Sequence, residues 1–196
     1  MTSIGHKWLI LDTIHIRIIL VRLFREYKTY MDKPFLEHYD GQTIQQLIGM
    51  KEDYRIDSLV LRIEDALLNK PEIELSEVER VVIAIEALER EVNNGGYKLF
   101  FTNSSCEYTP FIVRYLELIG CPGVAAISSD AVAALALPER YDANNVKQIA
   151  SELSDIGIDK LEECDSRYFN RDEDIEQHLF TYIERHQNEI RIPRVA

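Results

Sequence analysis

"SEVERVVIAIEALEREVNNGGYKLFFTNSS", residues 76–105, carries the pattern that decides the fold. Ser76 followed three residues later by Glu79 is a capping box, in which the serine oxygen takes an orphan backbone N–H and the glutamate reaches back. Val78, Val81, Val82, Ile85, Leu88 and Val92 recur at helical spacing and so share one face. Glu79, Glu86 and Arg90 are expected on the opposite face, with Glu86 and Arg90 paired one turn apart. Glu89 lies at the edge of the apolar face. Half-buried there, it is either a general base with a raised pKa or a carboxylate held by a cap or an arginine.

Asn93-Asn94-Gly95-Gly96 then breaks the helix, because Asn and Gly tolerate left-handed backbone angles. The glycines also remove side chains, so another part of the chain can approach. Tyr97, Phe100 and Phe101 follow at i, i+3 and i+4, which makes one side of the next segment aromatic. Asn103 and Ser104 offer caps. Two readings stand. The turn is a joint whose aromatics plug the core, or its free N–H groups and the Asn93 and Asn94 amides hold a ligand or an anion. The second requires a pocket lined by Asn93, Asn94, Tyr97 and Asn103. The turn has no lysine and no GxxxxGK[ST] pattern, which excludes a P-loop.

Outward from this stretch the apolar spacing stays helical. Residues 43–50 form a short helix. Asp57 is placed to cap another that carries Leu59, Val60, Ile63 and Leu67 and stops at Pro71. Thr109-Pro110 signals a start, cap then proline, with Gly120 as the stop. Residues 122–137 are alanine-rich and suit close packing. Residues 144–156 read as a helix ended by Gly157, and residues 159–169 and 172–190 as two more. Asp172, Glu173 and Asp174 complement the dipole of the last. Residues 11–31 fit a helix, while the alternation Ile14, Ile16, Ile18 permits a strand. Pro34 and Gly41 bracket a loop. The expectation is an all-α, compact multi-helix domain of about seven to nine helices. Residues 1–50 form a variable N-terminal element and residues 51–190 the helical domain.

At 196 residues and 46% hydrophobic content the chain can bury a real core. Cys106, Cys121 and Cys164 form no CxxC or Cys/His cluster, which argues against a disulfide framework or a zinc site and suits a reducing cytosol. Cys164, with Leu161 and Tyr168 as helical neighbours, reads as a small core residue. Residues 8–21 are apolar but too short and too charged to span a bilayer. The N-terminus lacks the pattern of a secretion signal, so the protein is expected in the cytoplasm.

Acids outnumber bases 34 to 22, for a net charge of −12. Residues 51–91 hold twelve acids and six bases, and residues 152–189 twelve acids and four bases. Such a surface repels nucleic acid and anionic lipid and attracts basic partners. The acids cluster as Glu72, Glu74 and Glu79, as Glu162 and Glu163, and as Asp172, Glu173 and Asp174. Helical carboxylates three or four apart lie about 5–6 Å from one another, so a row of them approximates a phosphate track. Arg167, Arg171 and Arg185 interrupt the C-terminal acids. These eight carboxylates are the candidate partner-binding residues.

No catalytic, cofactor-binding or metal-ligating residue emerges. His178 and His186 stand two turns apart, too far for one metal without another element, and HExxH, GxSxG and GxGxxG are absent. His186 reads as a core-edge histidine.

Three stretches carry a resemblance. Glu91-Val92-Asn93-Asn94-Gly95-Gly96-Tyr97 with Phe100, Phe101 and Asn103 is the most specific. Tyr115-Leu116-Glu117-Leu118-Ile119-Gly120 is the second. Leu161-Glu162-Glu163-Cys164-Asp165-Ser166-Arg167-Tyr168-Phe169, then Tyr182-Ile183, is the third. Over residues 55–190 the chain resembles a bacterial family of unknown function typified by a DNA-mimic protein. The resemblance implies an all-helical domain. For the typical member it implies an acidic surface that occupies the DNA-binding face of a transcription factor. It carries over no catalytic residue. The implied partner is a basic protein, a transcription factor or another DNA-binding protein, with no direct nucleic acid and no membrane. The alternative is a small-molecule-binding or hydrolytic domain with its pocket at the NNGG turn.

Overall fold

The computed structural model describes residues 33–193; residues 11–31, where helix and strand both fit the sequence, lie outside them. Among the described residues the chain forms eight α-helices and no strand. They are α1 (Ile44–Gly49), α2 (Ile56–Leu68), α3 (Glu77–Thr102), α4 (Ile112–Ile119), α5 (Pro122–Ala134), α6 (Ala143–Ser151), α7 (Asp155–Phe169) and α8 (Ile175–His186). Short 3-10 turns span Met50–Glu52, Glu72–Glu74 and Ser104–Tyr108. The all-α expectation is met.

α3 is the axle. It packs against α2, α4, α6, α7 and α8, while α5 bridges α4 and α7. Every residue from Val81 to Glu89 is buried, alanines and glutamates included. A helix surrounded on all sides has no solvent face for its polar residues. The outward placement expected for Glu79 and Glu86 is therefore wrong: they are 1% and 9% exposed. Nor do Glu86 and Arg90 pair, because Arg90 reaches across to Glu64 on α2 at 2.9 Å.

The capping box at the start of α3 forms as read. Ser76 Oγ accepts the Glu79 N–H at 3.2 Å, and Glu79 Oε2 accepts the Ser76 N–H at 2.9 Å. Glu79 also takes the Lys70 ammonium at 2.6 Å and the Arg191 N–H at 2.7 Å. One buried carboxylate thus ties the end of α2, the start of α3 and the C-terminal segment together. Burial alone would raise its pKa; the bonds from Lys70, Arg191 and Ser76 outweigh it and hold the group below the usual carboxylate range.

Four helix ends differ from the sequence reading. Asp57 lies inside the first turn of α2, whose N-cap is the extended Arg55. The start signal at Thr109-Pro110 is displaced to Phe111, because the preceding 3-10 turn runs on through a Thr109 N–H to Cys106 carbonyl bond of 3.1 Å. Gly157 sits in the first turn of α7 instead of ending α6. Ser154 caps that turn, and a side chain at 157 would strike Leu153. α8 starts at Ile175 with Asp174 as cap, so Asp172 and Glu173 precede the helix. Gly120 ends α4 in the left-handed region, as its position predicts.

Candidate functional site

The NNGG turn lies within the span of α3. Gly95 and Gly96 leave helical geometry, and Gly96 adopts φ 75°, ψ −178°, a region that in practice only glycine occupies. Beyond them Tyr97, Phe100 and Phe101 are fully buried. The Tyr97 ring meets Tyr168 edge-on at 5.7 Å, and its hydroxyl bonds the Ser128 hydroxyl at 2.7 Å. The break frees backbone N–H groups, as an anion site requires. The anion is supplied by the chain itself: Asp165 on α7 accepts the Tyr97 N–H at 2.7 Å. Asn93, Asn94 and Asn103 are exposed while Tyr97 is buried, so the four do not line one pocket. Asn103 makes no side-chain cap and donates instead to Glu91 at 2.7 Å, tying the two sides of the break.

Beneath the turn lies a group of buried carboxylates. Glu89, 5% exposed, accepts the Tyr168 hydroxyl and pairs with Arg171 at 3.2 Å, the arginine partner foreseen for it. The Arg171 guanidinium lies 4.2 Å over the Tyr168 ring. Burial, then the neighbouring Glu176 carboxylate, outweighs Arg171 and pushes Glu89 up to about 8. Glu86 is driven well above the usual range by burial, then by Glu64, Glu89 and Glu176. Near neutral pH Glu89 therefore holds a proton inside the core. Among the described residues, no group of three His, Cys, Asp or Glu is arranged to hold a metal ion.

The acidic surface separates into two classes. Three of the eight candidate partner-binding carboxylates belong to the fold: buried Glu79 described above, Glu173 and Asp174. Glu173 accepts the Gly123 and Val124 N–H groups at 2.8 and 2.7 Å, capping α5 from outside. Asp174 accepts the Gln177 N–H at 2.9 Å. Glu72, Glu74, Glu162, Glu163 and Asp172 are exposed, with no side-chain hydrogen bond or ion pair to another described residue. Glu162 and Glu163 continue a row that begins with Asp155 and Asp159, also exposed and unpaired, along one side of α7. Sequence reasoning missed those two, although their spacing of four residues was a usable signal. Lys160 and Arg167 flank the row, and Arg167 is engaged by Asp130 at 2.6 Å.

His178 and His186 occupy unconnected positions: His178 Nδ1 meets the Ile119 carbonyl at 3.3 Å, and His186 pairs with Glu189 at 2.8 Å. Cys106, Cys121 and Cys164 are free and buried, with Cys164 in the core as read. Among the described residues no helix is long and apolar enough to cross a membrane.

Residues 73–186 match the family model described as DMP19-like protein. The chain belongs to that family. The match runs from the 3-10 turn before α3 to the last residue of α8, so the DMP19-like region contains the axle helix, its glycine break and the acidic row on α7. It agrees with the resemblance to a DNA-mimic family. α1 and α2 precede it. No curated protein and no solved structure matches the chain.

Proposed function

We propose that this protein is a cytoplasmic, non-enzymatic DNA mimic that binds a basic DNA-binding protein, such as a transcription factor. The observation that supports this reading is the exposed row Asp155, Asp159, Glu162 and Glu163 on α7, none of which forms an ion pair or side-chain hydrogen bond with another described residue. Side chains one turn apart on a helix repeat about every 6 Å along its axis. A rigid helix therefore displays carboxylates as a regular line of negative charge, the feature a DNA-binding surface reads first. Glu72 and Glu74 add charge at the start of the DMP19-like region, and Asp172 follows α7.

Capture of partners from a lysate on the immobilised protein, repeated across a salt series, tests the reading. The expected partner is basic. It is lost as salt rises, competes with duplex DNA, and binds poorly to the quadruple variant D155N/D159N/E162Q/E163Q. A partner retained equally at low and high salt would overturn electrostatic mimicry.

A further inference from the structure

A cavity of about 220 Å³ opens between the start of α3, the 3-10 turn at Ser104–Tyr108 and the start of α4. Its lining includes Glu72, Glu77, Glu107, Tyr108, Phe111 and Tyr115. Phe111 is 47% exposed although it is a large apolar ring, and it stacks on Tyr115 at 5.9 Å with 19° between the planes. Leu75 and Ile83 supply apolar wall. The one basic residue in the lining, Arg80, directs Nη2 to the Glu72 backbone carbonyl at 3.4 Å. Arg114 engages Glu77 at 3.2 Å, and Glu72 and Glu107 have no cationic side chain paired with them among the described residues. The negative charge is felt inside: burial, then Glu72, raises Glu107 against a Tyr108 hydrogen bond and the charge of Lys147, while burial, then Glu107 and Glu72, pushes Tyr108 up to about 12.

Aromatic faces beside Glu72 and Glu107, neither in an ion pair among the described residues, favour an organic cation, which gains from ring quadrupole and charge together. The volume is below the roughly 300–1,000 Å³ of small-molecule sites and suits one long side chain. We propose that this cleft receives a single lysine or arginine side chain of the basic protein partner, its stem against Phe111 and Leu75 and its charged end toward Glu72 and Glu107. The inference rests on the reading of the chain as a partner of a basic protein. It adds to a line of surface charge one shaped receptor, which duplex DNA itself lacks.

The full chain, ¹⁵N-labelled, is titrated with N-acetyl-arginine amide, N-acetyl-lysine amide, the neutral N-acetyl-norleucine amide, and spermidine. The two cationic amides are expected to shift the Glu107, Tyr108 and Phe111 amide resonances saturably, and the norleucine amide not to. Phe111→Leu and Glu107→Gln change exposed side chains, and each should weaken the cationic amides by about 2- to 30-fold. Equal binding of norleucine amide, shifts scattered over other carboxylates, or no effect of either substitution would overturn the cleft. Saturation by spermidine alone would overturn a protein side chain as its occupant. The titration needs no partner, so the two readings fail separately. Loss of these shifts with salt-sensitive capture intact removes only the cleft, whereas the shifts without any captured partner remove only the mimicry.

Discussion

Asp165 on α7 accepts the Tyr97 N–H at 2.7 Å, in space that Gly96 leaves open. A Cβ at 96 would overlap the Asp165 carboxylate and would hold a backbone angle that L side chains rarely adopt. Gly96→Ala should therefore cost about 2–4 kcal/mol in urea denaturation. Gly95→Ala should cost less than about 1 kcal/mol, because φ there is extended and the nearest atoms to the new methyl, at 3.1 Å and beyond, belong to the Leu99 side chain. Asp165→Ala should cost about 1 kcal/mol through the lost cap. In the Asp165→Ala background Gly96→Ala should be milder. An equal cost in both backgrounds would place all the strain in the backbone angle.

The raised carboxyls Glu89 and Glu86 set a second expectation. A carboxyl whose folded pKa is raised costs nothing below its unfolded pKa, where both states are protonated. Its cost grows as pH rises toward the folded value. With Glu89 raised to about 8 and Glu86 raised too, stability should fall between pH 5 and 8.5 by on the order of 2–4 kcal/mol. Glu64 and Glu176 reinforce the effect, while Arg90 and Arg171 oppose it. Glu89→Gln should flatten this slope in denaturation curves taken at both pH values. An unchanged slope would place the protons elsewhere.

Opposite behaviour is expected of Glu79. Its folded pKa is lowered, so its contribution is complete above the unfolded value and is lost as pH falls through the folded one. Glu79→Gln leaves the Lys70 ammonium, only 10% exposed, without its counter-charge and should cost about 3–5 kcal/mol. Lys70→Met in the same chain should recover part of that loss. Thermal melts of the two single variants and the double variant at pH 7 measure the coupling.

Carboxylates of similar sequence context should separate by role. Glu173→Gln weakens two hydrogen bonds to the first turn of α5 and should lower stability by about 1–2 kcal/mol. Asp159→Asn and Glu162→Gln should change it by less than about 0.5 kcal/mol, since neither side chain has an internal partner among the described residues. Only the latter pair should weaken partner capture directly. Denaturation midpoints paired with binding data on each variant decide the matter.

Local signals were legible where neighbours in sequence are neighbours in space. The Ser76 capping box, the Gly120 stop and the aromatic plug after the glycine pair all involve residues within a turn of one another, and all form as read. Helix starts failed where a preceding turn competed for the same backbone, as at Thr109, or where a glycine lies inside the first turn of the next helix, as Gly157 does with its N–H capped by Ser154. The acidic row on α7 was half legible. Glu162 and Glu163 stood out as a pair, while Asp155 and Asp159 needed the helix to begin earlier than Gly157 suggested.

By itself the sequence determined that the chain is helical, that α3 is broken at Gly95 and Gly96, and that acids dominate the surface. Periodicity and backbone preference act over a few residues and need no tertiary partner. Only the folded chain decided which acids remain outside. Glu79, Glu86 and Glu89 are buried because α3 is enclosed by five helices, and Glu173 is engaged because α5 starts beside it. The anion at the glycine turn is likewise Asp165, 68 residues along the chain from Tyr97. Burial and long-range hydrogen bonding depend on packing between helices, which the spacing within any one of them does not encode.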